Sequence, residues 1–292
     1  MTTFEKNRWA ETCFKRLWWQ GYKGAVYSFN WPTLANNNFW DVATGEHHFD
    51  NSEFRAWLSA PALASVFNAL NGNGKLRVLA HSMGNVVTGE AINQYTGPSI
   101  HTYIAAQAAM SAHYYDNSIQ PVLSSPDTPN IIGYFPSVSI FDDSYLVGNQ
   151  AKVVHLYDYF NAVDWALARW ETNNNLKPTG FLYLFGYKGS ITSYTPGDDH
   201  FFRGEINNFY ETYEPTGDLY NRATIFSYIA ESRSKTLGQL NSTPFIPIDL
   251  HNQMGYGADH YSHSKEFRSN LPQQNDFWVS VFNDCYFTTT KK

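Results

Sequence analysis

The sequence predicts an α/β chain, a mostly parallel sheet with helices on both faces, and three observations carry that expectation. Segments rich in β-formers alternate with segments of helical period, which is the pattern of strands joined by covering helices. One short apolar run, Leu76-Arg77-Val78-Leu79-Ala80, ends in a serine flanked by small residues and passes directly into a helical pattern. No Pro/Gly/Ser-rich linker or internal repeat divides the 292 residues, so residues 1–292 are expected to form a single domain.

Residues 5–20 place Trp9, Cys13, Phe14, Leu17 and Trp18 at three- and four-residue spacings, predicting an amphipathic helix that Gly21 stops. A strand is expected over Gly24–Trp31, ending at Pro32, followed by a polar, Asn-rich loop over 33–51. A helix with Phe54, Leu58, Leu63, Val66, Phe67 and Leu70 on its core face then runs to the turn Asn71-Gly72-Asn73-Gly74. After the serine-bearing strand and its helix come strands over Ile100–Gln107 and Ala151–Tyr157, and a helix over Asp164–Glu171. Further on, Phe181–Phe185 reads as a strand, Ala223–Leu237 as a helix and Phe245–Leu250 as the last strand. Residues 111–150, Pro- and Ser-rich without a clean period, are read as a cap or lid inserted over a site.

The stretch Ala80-His81-Ser82-Met83-Gly84 is the chemical centre of the chain. A nucleophile displayed on a sharp strand-to-helix turn needs small residues two positions before and after it, and Ala80 and Gly84 supply them. A neutral serine is a poor nucleophile, so an imidazole must take its proton and a carboxylate must hold that imidazole in the right tautomer. For the carboxylate, Asp164 is preferred because it opens a helix after a short turn, with Asp158, closer to the strand body and placed to cap the strand's end, as the alternative. For the base, His263 is preferred because a helix-like Ser-Lys-Glu-Phe-Arg follows it, with His260 as the alternative. The Met83 amide is the donor that the turn itself offers to an oxyanion. The other histidines lack metal-ligand spacing, and neither a metal nor a cofactor is expected.

Composition narrows the partners. Net charge is −6 with Lys and Arg scattered, so no basic stripe exists to hold nucleic acid. Charged residues are only 16% while Phe, Tyr and Trp reach 17%, which favours apolar or aromatic ligands, small or polymeric. Cys13 and Cys285 form neither a disulfide framework nor a zinc pattern and are read as buried thiols. No apolar run approaches a membrane span, and the start is not a signal peptide, so the chain as written is expected to be soluble and cytoplasmic.

Three stretches, Tyr27-Ser-Phe-Asn-Trp31-Pro32-Thr33, Val78-Leu-Ala-His-Ser82-Met-Gly-Asn85 and His263-Ser264-Lys-Glu-Phe267, resemble a group of bacterial α/β-hydrolases with an Ala-His-Ser-Met-Gly-Asn elbow, and the elbow is also similar to that of small bacterial lipases. The resemblance implies an α/β-hydrolase fold, Ser82, Asp164 and His263 as catalytic triad, and carboxylic ester hydrolysis. It also implies strands before the first helix that end in a His-Gly-aromatic-Asn motif supplying a second oxyanion donor; this sequence begins after that motif, so the fold is expected to be N-terminally shortened. If the sheet closes up, Gly24–Trp31 pairs directly with Lys75–Ala80 and an amide at Asn30 or Trp31 replaces the absent donor. If it does not, a swapped or edge-paired homodimer is the expectation. The competing reading is a truncated hydrolase that binds or scaffolds without turnover.

Overall fold

The computed structural model describes residues 3–33, 46–110, 112–116, 146–164, 166–167, 236–259, 261–268 and 273–287. The segments read from sequence as a cap over 111–150, a strand over 181–185 and a helix over 223–237 lie largely or wholly outside these residues, as does His260.

Four strands, β1 (Arg77–His81), β2 (Ile100–Ala106), β3 (Val153–Phe160) and β4 (Ile246–Asp249), form an all-parallel sheet in the order β1-β2-β3-β4. Parallel strands buried on both faces read as near-continuous apolar runs, and β2, Ile-His-Thr-Tyr-Ile-Ala-Ala, is buried at every position but His101. Alternate side chains go to opposite faces. Tyr103 and Ala105 of β2 join a core with α2 (Glu46–Leu70) and α3 (Gly84–Gln94), while Ile104 and Ala106 join one with α1 (Thr3–Trp19) and α5 (Gln273–Asp284). A short helix, α4 (Leu250–Met254), follows β4 and is capped by the Asp249 carboxylate, which accepts from the Asn252 amide. The result is an α/β architecture with helices on both faces. Among the described residues, no helix is long and apolar enough to cross a membrane.

Several local expectations are corrected. Gly24–Trp31 is not a strand: it runs without ladder bonds, and β1 pairs only with β2 among the described residues. The segment is held by side chains instead. Phe29 and Trp31 pack on the α2–α3 core, and the Trp31 carbonyl accepts a hydrogen bond from Lys6. The helix α2 begins at Glu46, inside the segment expected to be loop, because a helix nucleated by its buried turns propagates cheaply into polar residues. On α1, Leu17 is buried and Trp9 and Cys13 partly so, whereas Phe14 and Trp18, expected on the same core stripe, are 44% and 50% exposed. Cys13 and Cys285 are both free thiols, the second buried.

The strand β3 ends at Phe160, three residues beyond the expected Tyr157, and this places Asp158 inside the sheet opposite Ala105. Asp158 is fully buried, and neither carboxylate oxygen has a hydrogen-bond partner among the described residues. Burial holds its carboxyl well above the usual carboxylate range. The folded state therefore keeps a proton that the unfolded chain releases near pH 4, so this group lowers stability as pH rises above that value. Relative to wild type, Asp158→Asn, which cannot ionise, should become progressively more stable as pH rises from 4 to 8. Urea unfolding at the two pH values checks this, and a pH-independent difference would contradict it.

Candidate active site

The site is assembled at the carboxyl ends of β1, β2 and β3. Ser82 follows β1 directly and adopts φ 52°, a left-handed conformation that non-glycine residues rarely hold. Three donors fix this turn through the Ser82 carbonyl: the amides of Asn85 (3.1 Å) and Ala109 (3.2 Å) and the side-chain amide of Asn85 (2.9 Å). The Asn85 side-chain oxygen in turn accepts from the Tyr103 hydroxyl at 2.8 Å. The Trp31 indole seats against the elbow at Gly84, where a Cβ would meet it at 3.5 Å, an ordinary van der Waals contact.

The three preferred residues meet in one chain of hydrogen bonds. The Ser82 hydroxyl lies 2.8 Å from His263 Nε2, and His263 Nδ1 lies 2.8 Å from Asp164 Oδ2. With Nδ1–H donating to the carboxylate, Nε2 is left to accept the serine proton, which is the tautomer a general base requires. Asp164 is fully buried beyond the end of β3; its Oδ1 caps the following turn by accepting from the amides of Ala166 (2.8 Å) and Leu167 (3.1 Å). Burial pushes its carboxyl upward, but the bond and charge of His263, the Leu167 amide and the Gln107 amide outweigh burial and hold it below the usual value. His263 sits within a 3₁₀ turn over Ser262–Phe267, kinked at Ser264, rather than in a loop before a helix; the final helix is α5. Asp158 takes no part in this chain.

The Met83 amide forms no hydrogen bond to another described residue and starts α3, where helix-end amides favour negative charge. It is thus free to meet an oxyanion beside Ser82. The ladder that was to bring the Asn30 or Trp31 amide in as a second donor is not formed, so strand pairing gives no ground for that role. Among the described residues, no group of three or more His, Cys, Asp or Glu side chains converges as a metal site.

Gln107 was not legible from sequence. It is fully buried at the end of β2 with φ 43°, and its side-chain amide donates to Asp164 Oδ2 at 2.6 Å and to the Ser262 carbonyl at 3.1 Å. One residue thus supports both the carboxylate and the histidine turn. The backbone behind it is packed against Gly238, where a Cβ would sit 2.3 Å from the Ala108 nitrogen and 2.4 Å from the Gln107 carbonyl carbon. Gly238→Ala should therefore cost about 1–3 kcal/mol and lower turnover with it, read by urea unfolding and ester assay. An unchanged midpoint would mean that the 236–240 turn yields freely.

No protein-family model, curated protein or solved structure matches this chain.

Proposed function

We propose that this protein is a serine hydrolase of α/β-hydrolase fold that cleaves carboxylic esters through an acyl-enzyme. The observation that carries the reading is the continuous Ser82–His263–Asp164 hydrogen-bonded chain on a left-handed serine after a parallel strand. In the reaction, Ser82 Oγ bonds to the ester carbonyl carbon as His263 Nε2 takes the hydroxyl proton. The carbonyl oxygen, now an oxyanion, faces the Met83 amide. Collapse breaks the bond to the alkoxide, which leaves with the proton from His263. Water then repeats the sequence on the acyl-serine, releasing the acid and restoring the Ser82 hydroxyl. Asp164 stays ionised throughout and stabilises the transient imidazolium. Esters are preferred to amides because an alkoxide leaves without the strong protonation an amine demands, and the Met83 amide is the oxyanion donor that the described residues supply.

The test is labelling by a fluorophosphonate probe together with hydrolysis of a short-chain p-nitrophenyl ester. One adduct, mapped to Ser82, with measurable ester turnover is expected. A folded protein that neither labels nor turns over ester would overturn the hydrolase reading.

A further inference from the structure

His81, immediately before the nucleophile, reaches across the site to the histidine turn. Its Nε2–H donates to the backbone carbonyl of His263 at 2.5 Å, and the same nitrogen lies 3.2 Å from Glu266 Oε1. Glu266 is fully buried on the Ser262–Phe267 turn, and its other carboxyl oxygen accepts from the Tyr256 hydroxyl at 3.4 Å. The turn is further tied to α5 by the Trp278 indole, which donates to the Glu266 carbonyl at 2.9 Å. Aromatic rings seal the pair. Trp9 stacks on Phe267 at 4.6 Å, and both present edges to the His81 ring, at 5.4 and 5.2 Å. A buried His and a buried Glu this close to the reacting groups, yet touching neither the Ser82 hydroxyl nor the Asp164 carboxylate, have no part in the proton path described above.

We propose that His81 is a buried latch that fastens the His263 turn to the nucleophile elbow as a positioning residue, and that ionisation of the adjacent Glu266 loosens it. The proposal rests on the hydrolase reading for its kinetic consequences and on geometry alone for the latch itself.

The physical argument concerns one proton. While Glu266 is neutral, the His81 N–H is free to serve the His263 carbonyl, and His263 Nε2 stays over Ser82. Once Glu266 is a carboxylate, it competes for that same N–H as a charged acceptor, and charge-assisted hydrogen bonds are about twice as strong as neutral ones. The bond to His263 is then lost. Burial pushes the Glu266 carboxyl up to about 8, and burial together with the neighbouring His263 charge pushes His81 down to about 3, so both are neutral between those values. The groups facing the pair are His263, Asp164, Tyr256 and Arg268, with Gln107 from the end of β2. Activity limited by the latch should therefore fall as pH rises through about 8.

Four proteins test this: wild type, His81→Phe, His81→Gln and Glu266→Gln. Phe keeps the ring packing and removes the donor; Gln at 81 restores a donor; Gln at 266 keeps the shape and cannot ionise. His81→Phe should lower kcat about 10–100-fold with KM changed less than about threefold, and His81→Gln should recover most of the loss. Glu266→Gln should keep neutral-pH turnover and lose the alkaline fall. Hydrogen exchange reads the latch without turnover: amides of residues 261–268 should exchange about tenfold faster in His81→Phe while those of β2 and β3 hold. Unchanged exchange and kcat in folded His81→Phe, or an alkaline limb in Glu266→Gln identical to wild type, overturns the proposal. Wild type that shows no Ser82 labelling but does show the exchange difference leaves the latch standing and removes the hydrolase reading.

Discussion

Ser82→Ala should abolish probe labelling and reduce ester turnover by about 10⁴–10⁶-fold while leaving the fold intact. The serine hydroxyl donates to His263 Nε2 but supports none of the elbow's own geometry, which is held through the Ser82 carbonyl by Asn85 and Ala109. Removing one hydroxyl from this position should shift stability by no more than about 1 kcal/mol. The backbone conformation adds a second arm. At φ 52° any residue with a Cβ is strained, so Ser82→Gly should be equally inactive and at least as stable as Ser82→Ala. Wild-type turnover in purified Ser82→Ala would remove Ser82 from the chemistry, and a large loss of stability would make its role structural.

Asp164→Asn should lower kcat about 10⁴-fold, and the reason is a conflict among hydrogen-bond donors. Oδ1 faces two backbone amides that cannot change, and Oδ2 faces His263 Nδ1–H and the Gln107 amide. An asparagine must therefore turn its own NH₂ toward Gln107 and His263. Gln107 can present its oxygen only by giving up its bond to the Ser262 carbonyl, and His263 can accept only by moving its proton to Nε2. That tautomer points N–H at Ser82 and cannot receive the serine proton. The variant should remain folded, bind probe slowly and retain KM, whereas Asp158→Asn should keep wild-type kcat. Turnover of Asp164→Asn within tenfold of wild type would mean that Asp164 does not orient the base.

The sequence by itself determined the parts of this protein that are written in local pattern. The alternation of strands and helices gave the α/β class, and Ala80 and Gly84 marked Ser82 because a sharp strand-to-helix turn tolerates only small neighbours there. It also ordered the candidates as serine, acid, histidine and preferred Asp164 to Asp158 without excluding the latter. That exclusion belongs to register: β3 extends to Phe160, so Asp158 is sealed between strands while Asp164, beyond the strand end, reaches His263. The segment 24–31 has the residues of a strand but forms no ladder, because a strand exists only where a partner offers its backbone edge, and no residue of the segment encodes that partner. Gln107, His81 and Glu266 were silent for a related reason. Gln107 donates to a carbonyl 155 positions away and His81 to one 182 positions away, and contacts over such separations arise only when packing brings three strand ends and a late turn to the same point.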